Sequence, residues 1–328
     1  MYHCRVNQNV LVTGGAGYIG AHTCKQLSKD GFVPIVMDNL STGHKNFVKW
    51  GPLFVGDIQD KKDLKEVFSR YDIKKVIHFA AKAYVNESLS DPIKYFNHNI
   101  YGTTNLLEEF LAHDGNVFIF SSSCAVYGEP NMVAISEDSP LEPINPYGFT
   151  KLASEKLISY LKLSNNFNFS ILRYFNVAGA DPDLEIGELH INETHVMPIL
   201  IKSLLDNLPF TIFGNDYSNS DGTAIRDYIH VVDLARAHVL ALKYNLSKKL
   251  DITCNLGTGL GTSVLELVNE VKKIEPNFDY VFNDRRAGDP STLVADSTLA
   301  KKILKWEPID SQISKIFKSA LDWHKSIL

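Results

Sequence analysis

Long hydrophobic runs are missing from this sequence. Its apolar stretches are strand-length, so none is long enough to span a bilayer, and the first residues, "MYHCRVNQ", carry no hydrophobic stretch of the kind that directs export. The expected location is the cytoplasm. Cysteine is scarce: Cys4, Cys24, Cys124 and Cys254 are scattered with no C-x-x-C spacing, which excludes a disulfide framework and a cysteine zinc site, and no metal is expected. Neither sign of charge dominates. A net charge of -5, with acidic and basic residues interspersed, gives no basic stripe for nucleic acid and no polybasic anchor for a membrane surface. Internal repeats and low-complexity tracts are also lacking. What remains is an ordinary globular composition, 328 residues of which 45% are hydrophobic and 22% charged, enough for one large domain or two unequal ones.

In the first half, short β-rich runs alternate with segments of helical periodicity. The runs are "NVLVTGG", "VPIVMDN", "LFVGDI", "KVIHFAA", "NVFIFSSS" and "FSILRYFN", and helices are predicted between most of them, as over 18–29 and 63–71. Strands nearly continuous in Val, Ile and Phe suit a parallel sheet covered on both faces. The fold class expected is α/β, a doubly wound Rossmann-type sheet with right-handed crossovers. After Asn176 the alternation gives way to a less regular region with helices predicted over 197–207, 232–244, 262–274 and 313–327. The expected division is therefore a dinucleotide-binding domain over 1–176, with a returning segment near 227–250, and a smaller mixed α/β substrate lobe over 177–328. Such a lobe would close over the carboxyl edge of the sheet, where ligands sit in this architecture.

"VLVTGGAGYIG" is a strand followed by Gly14, Gly17 and Gly20 at the start of a helix. Glycines there permit a tight turn, close approach of the backbone to a pyrophosphate and tight helix-to-strand packing, and the helix N-terminus offers amide donors to the anion. Asp38 ends the second strand, where a carboxylate accepts hydrogen bonds from the adenosine ribose and repels a 2'-phosphate. The pattern favours NAD over NADP.

"NPYGFTK" places Tyr147 four residues before Lys151. Asn145 reads as an N-cap and Pro146 as the first helical residue, so both side chains share one helix face. A phenol with a pKa of about 10 makes a poor base at neutral pH, but a nearby ammonium and a cationic nicotinamide favour the phenolate, so Lys151 is expected to tune Tyr147. Upstream, "FIFSSSCAVYG" brings Ser121, Ser122 and Ser123 to the carboxyl end of the fifth strand. The same Tyr-x-x-x-Lys spacing recurs at Tyr71/Lys75 and Tyr244/Lys248 without a serine-bearing strand end before it. Those two pairs are expected to be inert.

Taken together, "TGGAGYIG", "MDNLSTG", "GDI", "HFAA", "FSSSCAVYG", "NPYGFTK", "LRYFNVAGA", "IFGNDYSNSDGTAIRDYIHVVDLARAH", "NLGTG" and "RRAGDP" resemble the extended short-chain dehydrogenase/reductases, and among them the UDP-glucose 4-epimerases, from about Val10 to Trp306. The resemblance implies a tightly held NAD that is reduced and reoxidised within each turnover, UDP-glucose and UDP-galactose as substrates, and a homodimer. Tyr147 is then the base at the sugar 4-hydroxyl, Ser123 its hydroxyl partner, and Lys151 a ligand of the nicotinamide ribose. Tyr18, Ile19, Asn39, Asp57, Ile58, Phe79, Ala80, Asn99 and Tyr174 join the glycines and Asp38 as cofactor residues. Asn176, His195, Arg226, Arg286 and Asp289 are implied to hold the UDP moiety, the arginines by the fit of their planar forks to phosphate oxygens. Leu293 falls where the sugar 2-substituent lies. Its intermediate size leads us to expect weak activity on N-acetylated UDP-sugars. Two departures stand out: Lys82 precedes the position of the cofactor-contacting lysine of some members, and His195 replaces an asparagine.

A 4,6-dehydratase or decarboxylase of the same fold needs a carboxylate just after the strand-five hydroxyl. Here Cys124, Ala125 and Val126 follow Ser123, and the nearest acid is Glu129. A catalytically silent NAD-binding regulator on this scaffold would have no use for Tyr147, Lys151, Ser123 and both arginines together.

Overall fold

The computed structural model describes residues 7–130, 134–286 and 290–328. Its strands are β1 (Asn9–Thr13), β2 (Val33–Asp38), β3 (Leu53–Val55), β4 (Lys75–His78), β5 (Val117–Ser123), β6 (Asn168–Tyr174), β7 (Asn176–Ala178), β8 (Phe210–Phe213), β9 (Ile225–His230), β10 (Ile252–Leu256), β11 (Gly261–Ser263), β12 (Tyr280–Asn283) and β13 (Thr292–Leu293). The helices are α1 (Tyr18–Lys29), α2 (Lys61–Tyr71), α3 (Val85–Ser90), α4 (Pro92–Tyr95), α5 (Gly102–Ala112), α6 (Pro146–Lys162), α7 (Val196–Leu205), α8 (Val231–Lys248), α9 (Val264–Lys272), α10 (Thr298–Leu304) and α11 (Ile313–Ser326). A π-helical stretch, Phe96–Tyr101, joins α4 to α5.

Seven strands form one sheet in the order β10-β6-β5-β4-β1-β2-β3, every pair parallel. The pleat sends alternate residues of each strand to opposite faces, so Val10 and Val12 of β1 enter one apolar cluster with Leu27 of α1 and Leu234 of α8, while Leu11 enters another with Leu64 of α2 and Phe110 of α5. Each such side chain contributes about 1.5–3 kcal/mol by leaving water. The strand order reverses between β1 and β4, which opens a crevice at their carboxyl ends.

Two elements differ from the sequence expectation. "FSILRYFN" is split at Phe175 between β6 in the large sheet and β7, which pairs with β9 in a smaller one. β10, with Thr253 and Asn255 between its apolar residues, supplies a seventh strand that hydrophobic runs alone do not reveal. The chain thus returns to the large sheet through α8 and β10. The lobe has its own core of Leu200, Ile212, Tyr228, Val268 and Phe317, among others. Among the described residues, no helix is long and apolar enough to cross a membrane.

Candidate active site

The crevice begins at Gly14, whose φ of +71° needs a residue without a Cβ; a Cβ there would also lie 2.7 Å from the Ala80 nitrogen. At Gly20 a Cβ would lie 2.2 Å from the Gly14 carbonyl oxygen, so the helix can meet the strand only through glycine. Gly17 is the N-cap of α1, with no side-chain cap in the way of its free amides. Asp38 holds the far side. Its carboxylate accepts from the Ala16 amide at 3.0 Å and the Leu40 amide at 2.9 Å, although burial still pushes its pKa above the usual carboxylate value. Next to it, the Asn39 amide donates to Asp57 at 2.8 Å. Asp38, Asn39, Asp57, Ile58, Phe79, Ala80 and the glycines Gly14 and Gly17 line one cavity.

The same cavity is lined by Met37, Ser41, Thr42, Gly43, Gly56, Ala81, Lys82 and His98, most of which sequence reasoning gave no role. The signal was present in part: Ser41 to Gly43 directly follow the acid-bearing strand end, and Gly43 is packed so closely that a Cβ would sit 2.7 Å from Asp38. Lys82 reaches Ser41 at 3.3 Å. Asn99, in the π-helical stretch, clamps the Lys82 backbone through both amide atoms and donates to Thr150 of α6 at 3.0 Å. It ties the cavity to α6. Tyr18 donates to the Gly179 carbonyl at 2.5 Å, and Ile19 packs against the main core.

α6 is capped as the sequence requires, with the Asn145 side chain accepting from the Gly148 amide at 2.8 Å and Pro146 at its first turn. Tyr147 and Lys151 are both buried on its inner face. The three serines of β5 separate by strand alternation. Ser121 bonds to the Tyr174 hydroxyl at 2.5 Å, Ser122 points the other way into a buried hydrogen bond with Glu155, and Ser123 bonds to Tyr147.

Among the protein's own groups, Lys151 is not one that shifts Tyr147. Burial raises the phenol well above its ordinary value, aided by Tyr174, and only the Ser123 hydroxyl pulls it down. Lys151 lies 5.9 Å from the Tyr147 ring centre but donates a hydrogen bond to the Ser121 carbonyl at 2.8 Å. Burial lowers Lys151 itself to about 8, against the opposing pull of Glu155. Protein groups alone leave the tyrosine protonated. Of the competing pairs, Tyr71 ends α2 while Lys75 starts β4 and donates to the Asn7 carbonyl, and Tyr244 packs into the core with Lys248 exposed on α8.

The residues expected to meet the substrate come from the lobe. Asn176 starts β7, and Arg226 on β9 is buried in register with Leu293 on β13. Leu293 packs against a cluster of Val126, Tyr127 and Phe175, as does Cys124. Arg286 is exposed, its guanidinium 4.0 Å from the Phe213 ring centre. Asp289 lies outside the described residues. His195 caps α7 with half its side chain exposed, yet its Nδ1 faces Glu188 at 2.6 Å. Burial opposes its charge, but Glu188 and Glu193 outweigh it and raise the imidazole to about 8.

Residues 10–257 match the NAD dependent epimerase/dehydratase family. The chain is 47% identical over 320 residues, 97% of each chain, to a UDP-glucose 4-epimerase of Rhizobium meliloti. The UDP-glucose 4-epimerase of Brucella ovis in complex with NAD superposes with a TM-score of 0.92 at 45% identity, covering 96% of this chain and 98% of that one. The UDP-Glc/GlcNAc 4-epimerase of Campylobacter jejuni does so with a TM-score of 0.85 at 40% identity, covering 97% and 99%. The glycine crevice, the capped Tyr147 helix and these full-length matches make the chain a member of the NAD-dependent epimerase/dehydratase family.

Proposed function

We propose that the chain is a UDP-glucose 4-epimerase, interconverting UDP-glucose and UDP-galactose by oxidation and re-reduction at sugar carbon 4. The observation that carries this reading is the grouping of Tyr147, Ser123 and Lys151 at the carboxyl edge of the sheet, beside a crevice lined by Gly14 and Asp38, in a chain matched end to end by enzymes of that name. The crevice fits a dinucleotide: a Cβ at Gly14 would fill the cradle, and the Asp38 carboxylate lines its far side. NAD bound there supplies the hydride acceptor and donor, and its positive ring favours the phenolate that the protein alone does not produce.

The chain's own residues do the rest. Tyr147 takes the proton of the 4-hydroxyl and later returns one to the 4-keto oxygen, with Ser123 as its hydroxyl partner. Lys151 would hold the nicotinamide ribose. Asn176, Arg226, Arg286, His195 and Asp289 hold the UDP moiety while the keto sugar turns. No carboxylate follows Ser123, which disfavours the dehydratase reading. Tyr147→Phe is expected to lower kcat for UDP-galactose conversion by about 10²–10⁴-fold with UDP binding retained. Activity within about tenfold of the parent would overturn the assignment of the base.

The same reading makes the protein a cytoplasmic homodimer. Its support is an exposed apolar ridge on α4, the π-helical stretch and α6, where Ile93 is 72%, Tyr160 67% and Leu163 83% exposed, and Phe96 stacks on Phe149 with ring centres 5.6 Å apart. Light scattering at micromolar concentration should give twice the chain mass of 36.7 kDa, and a monomer mass would contradict it.

A further inference from the structure

Two clusters of potential metal ligands lie in the loops between β7 and α7. In the first, Asp181, Asp183 and Glu185 each come within 2.7 Å of the Lys25 ammonium. That cluster already has its cation. In the second, Glu188, His190, Glu193 and His195 bring one ligand atom each to within 4.8 Å of one another. Among the described residues, the ion pairs of these two glutamates are all with these two histidines.

The spacing within the second cluster is informative. A zinc ion about 2.0–2.2 Å from four donors sets neighbouring donors roughly 3.4 Å apart. Here His190 Nδ1 lies 3.5 Å from Glu188 Oε1 and 3.1 Å from Glu193 Oε2, and His195 Nδ1 lies 3.5 Å from the other Glu193 oxygen, Oε1. The two 3.5 Å separations are too long for hydrogen bonds yet match the edges of a tetrahedron. The His195–Glu188 contact, at 2.6 Å, has to open, and the Glu193 carboxylate has to turn one oxygen toward both histidines. Hydrogen bonds pair the four one to one, His190 with Glu193 at 3.1 Å and His195 with Glu188 at 2.6 Å, and a cation between them would replace both. Glu188 is buried, its carbonyl accepts from the Trp323 indole at 3.1 Å, and the Tyr84 ring flanks both histidines. The set is therefore held by packing from three parts of the chain.

We propose that Glu188, His190, Glu193 and His195 form a closed structural site for zinc or a similar first-row divalent ion. Two nitrogens and two carboxylate oxygens suit that class rather than magnesium or calcium, which take all-oxygen shells. The ion staples the loop that leads into α7, and so fixes the entry to the substrate lobe.

The test uses the untagged full-length protein with its cofactor, stripped of metal by a chelator and titrated with cobalt(II), whose visible bands report geometry. One equivalent should produce intense tetrahedral bands that zinc displaces, and zinc should raise the Tm. Glu193→Gln, which keeps side-chain shape, and the double variant His190→Ala/His195→Ala should each weaken binding by about tenfold or more, while Asp183→Asn in the lysine-filled cluster leaves it unchanged. Bands that are absent, weak and octahedral, or unaltered in Glu193→Gln would overturn the proposal.

Discussion

Leu293 sits opposite Arg226 in the β9–β13 pairing and packs on the same apolar cluster as Cys124, one residue past the serine that bonds Tyr147. A hydrophobic wall at that place distinguishes sugars only by about 1–3 kcal/mol per methylene-sized change. UDP-N-acetylglucosamine is therefore expected to be a slow substrate rather than an excluded one. Leu293→Ser should raise kcat/KM for it relative to UDP-glucose and Leu293→Tyr should lower it, by about 10-fold or more in each direction. An identical ratio in all three proteins would mean that Leu293 serves only the packing of its cluster. Other residue roles were legible to different depths. The placement of Gly14 and Asp38 at the crevice could be read from residue type and spacing, whereas the Tyr147/Lys151 spacing also occurs at Tyr71/Lys75 and Tyr244/Lys248 and needed the serine-bearing strand end before it to stand out. The serine run could not be resolved by spacing alone: strand alternation turns Ser122 away, toward Glu155, and only the fold shows which face meets the tyrosine. Glu188, His190 and Glu193 carry no signal in the sequence, because histidine and glutamate are common enough on surfaces that their spacing says nothing until the loop closes.

At the scale of elements, α6 does more than present Tyr147. One turn beyond Lys151, Glu155 receives two hydrogen bonds from Arg173 of β6, at 3.0 and 2.6 Å, and one from Ser122 of β5. Both charged side chains are nearly inaccessible, at 6% and 4% exposure. A buried pair of this kind fixes geometry, and removing one partner strands the other's charge. Arg173→Leu is expected to cost about 3–5 kcal/mol in urea unfolding, and adding Glu155→Leu should recover part of that loss. A double variant no more stable than the single one would show that the pair is not what α6 rests on. This network was invisible in the sequence, since its members are spread over three elements. α6 itself was predictable because its cap, Asn145-Pro146, is local. β10 was not, because its strand character comes from pairing with β6 rather than from its own residues.

Across the whole molecule, burial leaves several histidines neutral. His230 and His238 are both lowered to about 4 and His22 to about 3, in each case chiefly because their charged forms lose water. His238 is the clearest of them. It lies on α8 under the large sheet, fully buried, 4.7 Å from the Phe79 ring centre, with its Nδ1 bonded to the Leu234 carbonyl and its Nε2 without a partner. In the unfolded chain such a group takes up a proton near pH 6.5, whereas in the fold it does so only near 4. Between those values the unfolded state binds more protons, so stability is full above pH 6.5 and is lost as the pH falls toward 4. The loss attributable to one such histidine at pH 5 is about 2 kcal/mol. Carboxyls raised by burial, such as Asp227 and Asp233, act with the opposite sign, so the total slope mixes both effects. A difference isolates the histidine. His238→Leu, of similar volume and unable to ionise, should lose about 2 kcal/mol less than the parent between pH 7 and pH 5 in urea unfolding at fixed protein concentration. Parallel pH profiles for the two proteins would mean that His238 finds water, or a proton, inside the native fold.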